Sequence, residues 1–422
     1  MKRPLPLALY AAATGLLEPL APGLLQSRAR KGKEYAHRLN ERLGQPSVPR
    51  PPGPLVWLHG VSVGESLSLL PVIDALRTLR PDLGVLVTSG TLTSAEILAR
   101  RLPEGVIHQF APVDSPRAVA GFLDHWRPGA GIFVESELWP NLLLGAKARG
   151  VRLALLSARM TDGSAGGWAR AKASARALLE AFDLVLPQDE ATAERLGGLG
   201  AQVGPELNLK LAGAPPPIDQ ALLGALRWAR GGRKVVLAAS THPGEEALII
   251  QAFRVAKVDD TLLIVAPRHP ERGPAVATDL QRAGFKVVRR ATGKAPAADT
   301  TAFVLDSLGE MGAAYAVADA VVMGGSFAPG IGGHNPMEAA RLGAAIVTGP
   351  HVHNAADIYA RMFADGAAIA AADTAALSRH IRGLLANPRI GKRIGEAALA
   401  YADRQGAALN AAMALIEPLL PQ

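Results

Sequence analysis

The 422-residue sequence predicts an α/β protein of two doubly wound, Rossmann-like domains facing each other across a cleft, preceded by an apolar N-terminal segment. Three observations carry this expectation. The length suits two domains of about 100 to 200 residues each, and a hydrophobic content of 49% is ample for two cores. Short β-rich runs alternate with helix-like stretches, the pattern of crossover connections and parallel sheets covered on both faces. The alternation stops once, at a proline-rich stretch, and then restarts.

The first element runs from Leu5 to Leu25, LPLALYAAATGLLEPLAPGLL, close to the roughly 20 residues of a spanning helix but interrupted by Pro6, Glu18, Pro19 and Pro22. Two readings stay open, a membrane-spanning helix and an amphipathic helix packed on the first domain or lying in the membrane interface. Lys2 and Arg3 precede the segment, and Arg28, Arg30, Lys31, Lys33 and Arg38 follow it. This basic collar would keep the body of the protein on the cytoplasmic side.

Six runs follow, at 55–59, 83–89, 106–112, 131–136, 151–157 and 183–188, with helix-like stretches such as 65–79 and 93–101 between them. The stretch 211–220, LAGAPPPIDQ, holds three consecutive prolines that no helix interior accepts, and it reads as a linker. Six more runs, at 234–240, 261–267, 285–290, 302–307, 320–326 and 344–350, make the second domain. The expected organisation is a membrane-associating segment (1–37), an N-terminal domain (38–210), the linker (211–220), a C-terminal domain (221–400) and a helix (401–422) that packs back on the first domain.

Charge and composition narrow the function. A net charge of +8 points to an anionic partner, but aromatic residues are only 5%, and no basic stretch is interleaved with them as base stacking would need. Nucleic acid therefore ranks below an anionic membrane or a phosphorylated substrate. The absence of cysteine excludes disulfides, thiolate zinc sites and a cysteine nucleophile. HGVSVGE lacks the triple glycine of a dinucleotide fingerprint, no phosphate-loop lysine motif follows a strand, and no metal-ligand motif is present, so no cofactor and no metal are expected.

In doubly wound folds ligands bind outside the carboxyl ends of the strands, which directs attention to the residues just after each run. These are His59, Ser62 and Glu65 after the first, and Glu135, Ser136 and Glu137 after the fourth. In the second domain they are Ser240, Thr241 and His242, then Arg268 and His269, then Glu310, then the glycine-rich 324–340 with Gly325, Ser326, Asn335 and Glu338. Glu65 near a helix start could simply complement the helix dipole, worth about 0.3–1 kcal/mol. Glu135 and Glu137, two apart, fall on one face if the strand continues through them. Asn335 and Glu338, three apart at a helix start, share a face or cap the helix.

HGVSVGE (59–65), VESELWPN (134–141), STHPGEE (240–246), PRHPER (267–272), GGHNPMEAA (332–340) and GPHVHN (349–354) resemble, in the same order, the motifs of bacterial Kdo transferases. These enzymes move 3-deoxy-D-manno-octulosonic acid (Kdo) from its CMP ester onto a lipid A precursor. The resemblance implies a GT-B fold, an acceptor site in the N-terminal domain, the nucleotide in the C-terminal domain, and a place on the cytoplasmic face of the inner membrane. It implies Glu65 as general base, with His59, Ser62, Glu135, Glu137 and Asn141 toward the acceptor. Toward CMP-Kdo it implies Lys210, Ser240, Thr241, His242, Arg268, His269, Glu310, Gly325, Ser326, Asn335 and Glu338.

The sequence departs from the family pattern twice. ELNLK (206–210) is followed by Leu211 and Ala212 where the family has Phe-Asp, and SARMTDGSAGGW (157–168) replaces a more basic or serine-rich loop. Two rival readings are a transferase or epimerase of the same fold acting on a UDP-sugar, and a non-catalytic lipid-binding relative.

Overall fold

A computed structural model describes residues 3–256, 258 and 260–422; Lys2 of the basic collar lies outside them. The chain divides into two compact units, Met1–Gly213 with Gln405–Gln422, and Ala214–Arg404.

The first unit is built on six parallel strands: β1 Leu55–His59, β2 Gly84–Ser89, β3 Ile107–Phe110, β4 Ala130–Val134, β5 Arg152–Ala158 and β6 Leu184–Pro187, in the order β3-β2-β1-β4-β5-β6. Their continuous apolar runs are what a parallel sheet buried on both faces requires. All five residues of β1 and of β4 are buried. One core layer gathers Trp57, Phe122, Trp126, Phe133 and Leu178. The opposite layer joins Leu58, Val72, Ile73 and Leu156 to Leu409, Met413, Ile416 and Leu420 from the C-terminal end of the helix Pro388–Ile416 and the turn after it. Strand order reverses between β1 and β4, so the switch point opens beside His59 and Val134.

The second unit holds seven parallel strands: β7 Lys234–Thr241, β8 Thr261–Pro267, β9 Val287–Arg289, β10 Ala302–Val304, β11 Ala320–Met323, β12 Ile346–Thr348 and β13 Ile369–Ala370. Their order is β13-β12-β11-β7-β8-β10-β9, which places the switch point between β7 and β11. The prolines of 215–217 carry no regular structure; Gly312 packs so closely on the Pro217 carbonyl that a Cβ would come within 2.2 Å of its oxygen.

The N-terminal segment forms two α-helices, Leu5–Leu17 and Ala21–Arg30, joined by the 3-10 turn Glu18–Leu20. Taken together, Leu5–Arg30 is long and apolar enough to cross a membrane. Its prolines do not break it, because each stands in the first turn of its own helix, where a missing N–H costs nothing. One face is pinned to the first unit. Leu7 enters the core, Tyr10 Oη donates to Asp114 at 3.0 Å, and Asn141 Nδ2 donates to Thr14 Oγ1 at 3.0 Å. Glu18 accepts the Arg117 and Ala118 N–H groups at the start of the helix Pro116–Trp126. Leu9, Leu16, Leu17, Leu20 and Leu24 remain exposed.

Candidate active site

β1 ends at His59, and the chain turns through Gly60, Val61 and Ser62 into the helix Val63–Ser68. The turn is tight at Gly60, where a Cβ would stand 3.1 Å from the Glu65 side chain and 3.2 Å from Val134. Ser62 caps the helix. The Glu65 N–H reaches Ser62 Oγ at 3.4 Å, while Ser62 Oγ donates back to Glu65 Oε1 at 2.7 Å. The Val61 N–H donates to Glu65 Oε2 at 2.7 Å. This is the reciprocal logic of a capping box, and it fixes both Glu65 oxygens at the carboxyl edge of the sheet. Burial holds the Glu65 carboxyl above the ordinary value; the bonds from Ser62 and Val61 oppose the rise, and the charges of Glu137 and Glu135 add to it.

On the other side of the switch point β4 ends at Val134, and Glu135 adopts a left-handed conformation, φ +60°. Such a residue costs about 1–3 kcal/mol and persists only where its surroundings enforce it. Ser157 (φ +50°) and Ser240 (φ +56°) are held likewise, each inside a register shift toward the end of a strand, in β5 and β7 respectively.

The left-handed turn breaks the two-residue alternation, so Glu135 and Glu137 do not continue one strand face, as their spacing predicts. Each meets its own cation or donor. Lys210 Nζ lies 2.7 Å from Glu135 Oε1. Glu137 Oε2 accepts from Trp139 Nε1 and lies 3.4 Å from His59 Nε2. Burial works against charge on Glu137, but His59, Trp139 and Glu65 around it prevail and hold its carboxyl below the ordinary value. Of the two neighbouring carboxyls, Glu137 therefore keeps its charge and Glu65 takes a proton more readily. His59 is 1% exposed, with Nδ1 2.8 Å from Thr88 Oγ1 and Nε2 turned to Glu137.

Two residues are placed differently from their expected roles. Asn141 is 3% exposed and its side chain is committed to Thr14 and to the Asp114 carbonyl, so it anchors the N-terminal helix rather than facing a ligand. Lys210, expected on the donor side, belongs to the first unit, with the carboxylates.

In the second unit the turn after β7 is tied to the turn after β11 by Glu245. Its carboxylate, 1% exposed, accepts from the N–H groups of His242 (2.9 Å), Gly325 (2.7 Å) and Phe327 (2.8 Å). Next to it, Glu246 accepts from Thr241 Oγ1 at 2.8 Å and holds Arg272 with two bonds of 2.7 and 3.1 Å. His242 and His334 stack with centroids 5.0 Å apart and Nε2 atoms 2.8 Å apart, and the His269 ring stands edge-on to His242 at 6.0 Å. Burial lowers both of the stacked imidazoles, His334 to about 4, and the positive charge of Arg268 nearby adds to the effect. Arg268 and His269 lie exposed just after β8.

Several second-unit candidates are turned to structural partners. Thr241 points inward to Glu246. Ser326 is fully buried, donating to the Met323 carbonyl and accepting from the Gly349 N–H. Glu310 grips Arg290 and Ser307. Asn335 lies before the helix Met337–Arg341 and accepts the Met337 N–H at 2.9 Å, so it does not share a helix face with the exposed Glu338. Glu245, Glu246, Arg272 and His334 stand inside the motifs STHPGEE, PRHPER and GGHNPMEAA, where the sequence alone gives them no role. A Glu pair opening a helix reads as dipole compensation until the loops it holds are seen.

Residues 37–212 match the family model described as 3-deoxy-D-manno-octulosonic-acid transferase. The chain is 37% identical to the probable mitochondrial 3-deoxy-D-manno-octulosonic acid transferase of Arabidopsis thaliana, over 82% of this chain and 79% of that one. It is 32% identical to the 3-deoxy-D-manno-octulosonic acid transferase of Rickettsia bellii, over 98% of this chain and 99% of the other. In three dimensions it resembles a glycosyltransferase from Rickettsia africae with a TM-score of 0.57, at 11% identity, over 87% of this chain and 99% of that one, a likeness of fold.

Proposed function

Because the chain belongs to the 3-deoxy-D-manno-octulosonic acid (Kdo) transferases, we propose that it transfers Kdo from CMP-Kdo to a lipid A precursor in lipopolysaccharide core biosynthesis, inverting the anomeric carbon, with Glu65 as general base. An acceptor hydroxyl oxygen forms the new bond to that carbon, the bond to the CMP phosphate breaks, and CMP departs with the electron pair. The hydroxyl proton passes to Glu65. Each carboxylate oxygen carries two lone pairs, so the bonds from Ser62 and Val61 orient Glu65 and leave it capacity to accept.

The observation that carries this reading is the placing of Glu65, whose two carboxylate oxygens are fixed by Ser62 and the Val61 N–H at the carboxyl edge of the sheet, where burial raises its pKa. A base with a pKa closer to the operating pH transfers protons more effectively. Glu135, Glu137, His59 and Ser62 would shape the acceptor end. Arg268, exposed beside the histidine pair, would meet the CMP phosphate with a charge-assisted contact. No metal enters the scheme.

The exposed leucines of the N-terminal helices and the basic residues Arg28, Arg30, Lys31 and Lys33 support a place on an anionic membrane surface, which we assign to the cytoplasmic face of the inner membrane. Anchoring through Tyr10, Thr14 and Glu18 favours a helix lying in the interface over one that leaves the domain to span.

Glu65→Gln tests the reading by preserving size while removing the proton acceptor. Transfer should fall roughly 10²- to 10⁴-fold with CMP affinity and fold intact. Near-native turnover by the purified variant would reduce Glu65 to a helix cap.

A further inference from the structure

The first unit holds a cavity of about 360 Å³ at the carboxyl ends of β1, β2 and β3, against the helix Ala21–Arg30. Leu24, Leu25, Val61, Val113, Trp139 and Leu142 are among its apolar lining residues. Its volume is near the lower end of the roughly 300–1,000 Å³ typical of ligand sites, room for one slender group rather than a whole glycolipid.

Four charged side chains also reach this wall, and they cancel. Glu34 lies 3.1 Å from Arg28 and 3.2 Å from Arg42. Arg42 also donates to the carbonyls of Gly90 and Ala111. Asp114 accepts from Tyr10 and from the N–H groups of Asn141 and Leu142. These bonds are made within the protein, so a charged or strongly hydrogen-bonding occupant would have to displace one of them, at the cost of leaving its buried partner unpaired. An apolar occupant asks nothing of them.

One polar atom of the lining faces the carboxylates. His59 lines the cavity, is almost fully buried, and its Nε2 makes no close hydrogen bond among the described residues. That atom sits 3.4 Å from Glu137, to which the lining residue Trp139 donates its indole N–H. Through His59 and Trp139 the lining thus borders the carboxylate cluster, and it also includes Leu24, itself exposed on the apolar outer face of the N-terminal helices.

We propose that this cavity takes one acyl chain of the lipid acceptor, its polar attachment at His59 and Trp139 and its hydrocarbon running toward Leu24 and Leu25. The proposal rests on the reading of the acceptor as a lipid. It gives the N-terminal helices a part in substrate selection as well as in membrane attachment.

The test compares the wild-type protein with Val113→Trp, which fills the cavity from a half-buried position outside the carboxylate cluster. Both are assayed with CMP-Kdo on acylated lipid A precursor in detergent and on its fully deacylated sugar phosphate. The wild type should prefer the acylated acceptor by at least about tenfold in kcat/KM, since several buried methylenes are worth that much. Val113→Trp should lose the preference while matching the wild type on the deacylated acceptor. An undiminished preference in the variant, or an equal fall on both acceptors, would overturn the proposal.

A second measurement needs no turnover. Tetradecanoic acid carrying a terminal diazirine, photolysed with the wild-type protein, should label the peptides holding Leu24, Leu25 or Val113. Labels confined to the exposed face of Leu5–Leu20 would overturn the cavity assignment. Should the wild type turn over neither acceptor, the transferase reading falls, and the labelling alone decides the cavity.

Discussion

Lys210 Nζ stands 2.7 Å from Glu135 Oε1, tying the short turn Leu209–Leu211 to a residue held in the left-handed region at the end of β4. The pair is asymmetric, since the lysine side chain is 44% exposed and the glutamate side chain only 9%. The ammonium offsets a buried negative charge that would otherwise bear on Glu65. Lys210 Cε also lies 3.9 Å from where a Cβ at Gly64 would stand.

Removing that offset should be visible in the pH dependence of the reaction. A base must be deprotonated, so kcat/KM falls as the pH drops through the Glu65 pKa. Glu135 already pushes this pKa up. In Lys210→Ala the push should grow, and the acid limb should move to higher pH. A pH–rate profile checks it, and an unmoved limb would disconnect Glu135 from the base.

Arg268→Ala should weaken CMP-Kdo binding by about 1.5–3 kcal/mol, the worth of a charged hydrogen bond, and leave acceptor KM nearly unchanged. Titration calorimetry with CMP and acceptor kinetics separate the two. The wild-type protein should keep its turnover in EDTA; loss that magnesium restores would bring a metal into the scheme.

The histidine pair makes the second unit acid-sensitive. His334 has its pKa lowered to about 4 from an ordinary 6.5, so the unfolded chain binds the proton more readily than the folded one. Its stabilising contribution is full above about pH 6.5 and is lost as the pH falls toward 4. Partial exposure reduces the effect to on the order of 1–2 kcal/mol at pH 5. Urea denaturation at pH 7.5 and 5 should show wild type losing that much more than His334→Gln.

Changing Leu16, Leu17 and Leu20 together to Gln should release the protein from anionic vesicles by at least tenfold at unchanged thermal stability. These side chains are 81%, 58% and 67% exposed, and surface changes stay within about 0.5 kcal/mol each. Deleting the segment outright would confuse matters by removing Tyr10 from Asp114 and Glu18 from the start of the helix Pro116–Trp126. Vesicle co-sedimentation across salt concentrations reads the result, and undiminished binding would move the membrane contact elsewhere.

The sheets were legible because an apolar run buried on both faces leaves a plain mark, and the strand-end rule then led to Glu65 and His59 without any further information. What the sequence hid was partnership. Glu135 and Glu137 look like one alternating face until the strand stops at Val134 and φ changes sign. Thr241 and Ser326 sit where a ligand would be sought, but their hydroxyls serve Glu246 and the Gly349 N–H, contacts between residues 5 and 23 positions apart. β13 is two residues long, too short to leave a periodicity.

The first unit is discontinuous, and this bears on how the chain is made. Leu409, Met413, Ile416 and Leu420 complete a core begun by Val56 and Leu58, while everything in Ala214–Arg404 lies between them in sequence. A growing chain delivers the second unit whole, as one uninterrupted stretch that can close as it emerges. The first must wait with part of an apolar sheet face uncovered until some two hundred further residues have been synthesised, at roughly 5–20 residues per second a delay of tens of seconds. During that interval the open face is a natural holding site for a chaperone, and a ribosome stalled anywhere before residue 409 releases a nascent chain that cannot shield it.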